Sequence, residues 1–286
     1  MLPALLECVV NLSEGRDLAV LDRLAASCSD TLIDRHRDPE HHRSVFTLAG
    51  RPPEVEVAAR ALAGLAVDLV DLAHHAGVHP RFGAVDVVPF VPLGSADLEV
   101  AVGARDRFAE WAGRALGLPC FLYGPLPGGA SRTLPEVRRR AFDGLAPDAG
   151  PPGPHPSAGA CAVGARPVLV AYNLWLEGAG GPLARRVAAS VRGPEVRALG
   201  LELSGAVQVS VNLIEPGVVG PGRLYDQVAE ALTGTGARVA RAELVGLLPR
   251  SVLAAEPEER WAALGLSPGA TIEARLPALS ADGART

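Results

Sequence analysis

The chain predicts an α/β (α+β) protein made of two tandem β-α-β-β-α-β units, the split βαβ or ferredoxin-like arrangement. Three observations lead there. Apolar runs of strand length alternate with segments of helical period from residue 5 to 91. A stretch dense in Pro and Gly, 146–159, interrupts that order and suits neither a helix nor a central strand. The same order then returns from 167 to 247. The division expected is 1–165 and 166–280.

In chain order, LLECVVNL at 5–12 reads as a strand, and Asp17 is placed to cap a helix over 18–28. Residues 31–35 read as a second strand. A polar loop from His36 to Arg43 leads to a third strand, Ser44–Leu48. Glu54 to Ala73 has apolar residues at helical spacing. A His-rich loop, 74–83, feeds a Val, Phe and Pro strand near 84–91. A helix over 97–116, a strand Pro119–Tyr123 and a short helix 134–144 complete the first half. In the second half, strands are expected at 167–176, 196–203, 206–214 and 238–247, with helices at 182–192 and 222–233.

Composition narrows the function. With 286 residues and 48% apolar content the chain can bury large cores. A net charge of −5 with mixed signs argues against a general nucleic-acid binder, which needs a basic face. Small anions remain suitable ligands where arginines cluster. Cys8, Cys28, Cys120 and Cys161 form no CxxC pair and read as buried reduced thiols, as in a cytoplasmic protein. No signal peptide and no membrane-length apolar run are evident.

Six of the seven histidines, His36, His41, His42, His74, His75 and His79, lie between 36 and 79, and His155 sits in the Pro/Gly segment. Two chemistries suit such a cluster. Imidazole binds zinc-like ions, but the spacings match no helical pair such as HExxH. One imidazole of ordinary pKa also suffices for general acid–base work at neutral pH. His79 is the strongest candidate, because Pro80 restricts its backbone and Arg81 follows. The turn Asn11, Leu12, Ser13, Glu14, Gly15, Arg16 gathers an amide, a hydroxyl and a carboxylate at a strand end, with Gly15 allowing a tight bend. It suits a binding turn or an ordinary helix start. Residues 146–159 suit a linker or a binding loop. The small residues from Gly159 to Arg166 precede a strand and are not a GxGxxG fingerprint.

Seven ordered segments resemble the glutamate formiminotransferase family, the formiminotransferase domains of histidine breakdown, some of them fused to a cyclodeaminase. They are Glu7–Arg16, His79–Phe90, Pro119–Gly124, Gly159–Arg166, Ala171–Leu174, Val207–Leu213 and Leu244–Pro249. The resemblance spans about 5–276. It implies two ferredoxin-like subdomains with facing sheets, and a homodimer. It implies transfer of a formimidoyl group from N-formimidoyl-L-glutamate to N5 of the co-substrate tetrahydrofolate, with metal playing no part. Its catalytic histidine falls on His79, which would take a proton from the attacking nitrogen and return it to the departing glutamate. Its folate loop falls on Gly150, Pro151, Pro152, Gly153, Pro154, His155, Pro156, Ser157, Ala158 and Gly159. Asn11, Ser13, Glu14, His36, His42, Arg43 and Arg81 are the substrate-binding candidates. Arg43 and Arg81 suit bidentate contacts to carboxylates.

Four positions depart from the family pattern. His36 stands where the family has Asp, His42 where it has Asn, Val78 where it has Glu, and Ala158 where it has Trp. The changes leave less acid beside a cationic formimidoyl group. The alternatives are therefore an uncharged donor such as N-formylglutamate, or a folate-binding relative without turnover.

Overall fold

The computed structural model describes residues 3–74, 81–203 and 205–276. Val78, His79 and Pro80, and with them the candidate general acid–base, lie outside the described residues. The chain divides into two compact units, Met1–Pro167 and Val168–Thr286.

The first unit opens β1 (Ala4–Leu12), α1 (Leu18–Ala26), β2 (Leu32–Asp38), β3 (Arg43–Gly50), α2 (Pro52–Leu69), β4 (Val85–Gly94). These strands lie in the order β2-β3-β1-β4, all neighbours antiparallel, which is the ferredoxin-like order. Asp17 caps α1 as its sequence position predicts, accepting from Ala19 N at 2.9 Å and Val20 N at 3.1 Å. On β1, Leu6, Cys8, Val10 and Leu12 alternate into a core shared with α1 and α2 through Leu21, Leu24, Val55 and Leu62. Asn11 and Glu7 take the opposite, helix-free face.

Two expectations for this half are corrected. The segment 36–38 is strand: β2 runs on to Asp38, so His36 pairs with Val45 of β3 instead of standing in a loop. A half-exposed edge strand tolerates the alternating charges of Asp34, Arg35, His36 and Arg37. The sheet also extends beyond four strands. After α3 (Leu98–Ala115) come β5 (Cys120–Pro125), β6 (Ser131–Arg132) and α4 (Leu134–Arg140), then β7 (Cys161–Ala165), which enters between β4 and β5, parallel to both. The stretch Cys-Ala-Val-Gly-Ala shows neither alternation nor bulk, yet it is a central strand. Its small side chains make room: a Cβ at Gly164 would sit 2.0 Å from the ring of Tyr123.

The Pro/Gly segment is no linker between the units. It folds back on the first unit, where Asp148 N donates to Cys120 O at 2.9 Å. Gly150 packs so close to α3 that a Cβ on Gly113 would lie 2.5 Å from its nitrogen.

The second unit runs β8 (Val170–Glu177), α5 (Gly181–Ser190), β9 (Val196–Leu203), β10 (Ala206–Leu213), α6 (Pro221–Ala231), β11 (Arg238–Val245), with short helices α7 (Arg250–Ala254) and α8 (Ile272–Arg275) behind. The order β11-β8-β10-β9 repeats the ferredoxin-like pattern. Its core sets Val170, Tyr172, Leu174, Val209 and Val211 against α5 and α6. Both units thus follow the predicted β-α-β-β-α-β order.

Candidate active site

The site grows from a fault in the strand ladder of the first unit. Pairing of β1 with β4 steps from Asn11↔Val87 to Leu12↔Val85, so Asp86 is an extra residue in β4. Such a bulge re-aims a side chain. The Asp86 carboxylate, fully buried, accepts from Arg138 of α4 at 2.6 Å, from Arg43 of β3, and from the backbone N–H of Phe82 at 2.8 Å. Burial alone would push this carboxyl up. The charges of Arg43 and Arg138 outweigh that and hold it at about 2, so it stays ionised.

Near this anion the predicted residues form short hydrogen-bonded sets. Arg43 donates to Asn11 Oδ1 through Nη2 at 2.9 Å and through Nε at 3.3 Å. The Asn11 amide in turn donates to Val9 O at 2.9 Å. Ser13 ties the end of β1 to the segment after His79: its N–H donates to Ala84 O at 2.9 Å and its hydroxyl to Gly83 O at 2.8 Å. Glu14 Oε1 accepts from the backbone of Gly15, Arg16 and Asp17 and pairs with His42 Nε2 at 3.1 Å. Burial pushes the Glu14 carboxyl up, but the Arg16 and Asp17 amides and the His42 ring outweigh it and lower it. His42 adopts a left-handed backbone, φ 51°, where the β2–β3 hairpin turns. Next to it, Asp38 pairs with His41 Nδ1 at 2.5 Å and is likewise held at about 2, the ring outweighing burial.

Asn11 thus bonds Arg43 and Glu14 bonds His42, while Ser13 bonds the backbone of Gly83 and Ala84. The Arg43 guanidinium, a substrate-binding candidate, bonds Asp86 and Asn11. His36, half-buried on the helix-free face opposite Val45, stands apart from these sets. Gly15 is the wedge that closes them: a Cβ there would sit 2.4 Å from Asp38 O and 2.5 Å from Arg43 N. Gly15→Ala should push the turn off the hairpin and cost about 1–3 kcal/mol, read as a lower denaturation midpoint. An unchanged midpoint would show that the turn and hairpin are not coupled.

Cations exceed anions here. Arg81 is held below the usual guanidinium range by burial, then by the charges of Arg16 and Arg43, while the charge of Asp86 opposes them. Arg43 and Arg138 thus bond one buried carboxylate, with Arg81 near enough to feel its charge. That excess suits a ligand bearing carboxylates. Asp86 and Arg138 escaped the sequence reading. The signal for Asp86 was there: a lone acid inside the apolar run Ala84–Pro92 must find a buried cation.

The Pro/Gly loop closes the other side. Ala158 O accepts from Ala84 N at 2.9 Å, Ala160 N donates to Phe82 O at 3.0 Å, and Leu72 N donates to Ser157 O at 2.8 Å. Both flanks of 75–80 are therefore pinned to the loop. His155 and Gly159 exchange backbone bonds of 2.7 and 3.0 Å, and Ala158 N donates to His155 Nδ1 at 3.0 Å. The ring nitrogen accepting that bond carries no proton, which places the ring proton on Nε2. Ala158 is buried in the core, so its side chain packs inward. Pro151, Pro152, Pro154 and Pro156 are exposed. Among the described residues no group of three His, Cys, Asp or Glu side chains is arranged to hold a metal ion.

Fold and geometry define a protein of two tandem ferredoxin-like units, with an arginine-rich site centred on a carboxylate in the first. The chain belongs to the formiminotransferase family. The sequence model of the formiminotransferase domain, N-terminal subdomain, matches residues 5–166. The glutamate formimidoyltransferase of Streptococcus pyogenes serotype M1 is 35% identical over 270 residues, covering 87% of this chain and 90% of that protein. That of Thermoplasma acidophilum is 33% identical over 273 residues, with the same coverages of 87% and 90%. The formimidoyltransferase-cyclodeaminase of Sus scrofa is 33% identical over 276 residues, covering 87% of this chain and 51% of that protein.

Proposed function

We propose that this chain is a one-carbon transferase that moves the formimidoyl group of N-formimidoyl-L-glutamate to N5 of tetrahydrofolate and releases glutamate, a step of histidine degradation. The observation that carries this reading is the arginine pair about Asp86, whose carboxylate also accepts from Phe82 N, close after His79 in the chain. Its positive charge suits the two carboxylates of a glutamyl donor, and Arg43, Arg81 and Arg138 are the candidates to meet them. The relatives' names and the match over the first unit support the same reaction.

Tetrahydrofolate, when bound, supplies the nucleophilic nitrogen. His79 takes the proton of that nitrogen as its bond to the formimidoyl carbon forms. It then delivers the proton to the glutamate nitrogen as the old carbon–nitrogen bond breaks, so no net proton is consumed. The exposed prolines of Gly150–Gly159 are the surface offered to folate. A homodimer is part of the same proposal, as is a reducing, cytoplasmic setting, which is supported by four cysteines that are all buried and free. Among the described residues no helix is long and apolar enough to cross a membrane.

One observation favours a second reading. A cationic amidinium would approach a surround already rich in arginine, whereas an N-formyl donor is neutral at the reacting carbon. Turnover of N-formimidoyl-glutamate against N-formyl-glutamate, each with tetrahydrofolate, separates the two. We expect the formimidoyl donor to react at least about 10-fold faster, a difference of about 1.4 kcal/mol in barrier. The reverse ratio would assign the formyl donor. Folate binding without turnover of either would make the protein a binding relative.

A further inference from the structure

The turn between β1 and α1 carries a cation that the binding candidates leave out. Arg16 is exposed, yet its guanidinium is tethered: Nε donates to Pro39 O of the β2–β3 hairpin at 2.9 Å. The backbone beneath it is fixed as well. Glu14 Oε1 accepts from Arg16 N at 2.7 Å, and Gly15 packs on Asp38 O and Arg43 N with no room for a Cβ. An exposed arginine otherwise samples many rotamers, because ordering it costs side-chain entropy. Here the ordered side chain keeps both Nη groups without a hydrogen bond or ion pair among the described residues.

The charge of Arg16 falls on the site. Burial first, and then the charge of Arg16, hold the Arg81 guanidinium below its usual range, and Arg16 acts on it more strongly than Asp86 or Arg43 does. Like charges at close range are unfavourable. The nearby acids are engaged elsewhere. Asp86 pairs with Arg43 and Arg138. Glu14 takes three backbone amides and His42, and Asp38 takes two amides and His41. Asp17 caps α1. An untethered arginine would swing away from a like charge into water. One held beside it, with its Nη edge open, is suited to take an anion that turns the repulsion into attraction.

We propose that Arg16 is a specificity-determining residue which, together with Arg81, takes a carboxylate of a glutamyl group through the Nη edge of its guanidinium. The inference rests on the transferase reading above and extends it by a residue. Two glutamyl groups meet in that reaction, that of the donor and the tail of tetrahydrofolate, and their carboxylates offer the same chemistry.

The test compares the full chain, wild type and Arg16→Gln, by kcat/KM on matched substrates. N-formimidoyl-glutamate against N-formimidoyl-glutamine and N-formimidoyl-isoglutamine removes one donor carboxylate at a time. Tetrahydrofolate against tetrahydropteroate removes the tail. Wild type should prefer the charged member, and Arg16→Gln should cut that preference about 10- to 100-fold, the worth of hydrogen bonds to a charged group. A loss among the donors assigns the carboxylate to the donor, and a loss between the folates assigns it to the tail. Each ratio is taken on one protein, so it does not depend on the folded fraction, and a merely structural role would leave it unmoved. Preferences equal in the two proteins for every pair would overturn the inference. Wild type that turns over all these substrates without preference would overturn it too, with the transferase reading intact. Wild type with no turnover at all would overturn that reading first, and this inference with it.

Discussion

His79→Ala should lower kcat by about 10²- to 10⁴-fold, the usual contribution of a positioned acid–base group. Folding should be little affected. The bonds that pin the flanks of this segment, from Leu72 N to Ser157 O and from Ala84 N to Ala158 O, are backbone bonds that the substitution does not remove. Substrate KM values should change little, because the arginine group near Asp86 is untouched. A matching loss of kcat/KM would mark an interaction made only in the transition state. The wild-type rate should fall on acidification as the base becomes protonated and ceases to accept a proton. The alanine variant should lose that limb. If the variant turns over at the wild-type rate, or keeps the same acid limb, the proton passes through another group and the proposed mechanism is wrong.

The second large effect is expected at Asp86. Asp86→Asn keeps the shape and an acceptor for Phe82 N but removes the charge that Arg43 and Arg138 share. Breaking a buried ion pair from one side costs about 3–5 kcal/mol, since the stranded partners stay partly desolvated. The denaturation midpoint should drop accordingly, and the loss should carry into KM for the donor, because Arg43 also positions Asn11. Acid gives an independent check. The Asp86 carboxyl is depressed in the folded protein to about 2, so its stabilisation is complete above the unfolded value of about 3.9. It is lost as pH falls through that interval towards about 2. Asp38, also held at about 2, contributes in the same window. The Asp86→Asn protein should therefore retain a shallower acid transition, not none. A midpoint equal to that of wild type, at neutral pH and in acid, would show that Asp86 does not organise the site.

Much of the fold was legible because its rules are local. Asp17 capped its helix, the strands read at 5–12 and 206–214 formed as β1 and β10, and both β-α-β-β-α-β sets followed from period and order. The strand β7 was not legible, since Cys161–Ala165 has no pattern of its own and becomes a strand only when β4 and β5 offer it a slot. At the site, residue types were legible and roles were not. Asn11, Ser13 and Glu14 were candidates by chemistry, and each also bonds a partner that only folding brings near: Arg43, Gly83 and His42.

From the order of residues alone came the two tandem units, the family and the candidate imidazole, because periodicity, capping and motif are properties of neighbouring positions. Folding alone decided which charges meet. Arg43 and Arg138 reach Asp86 across sequence separations of 43 and 52 residues, through one extra residue in β4. Strand register and burial set those relationships, and both depend on the whole chain being closed.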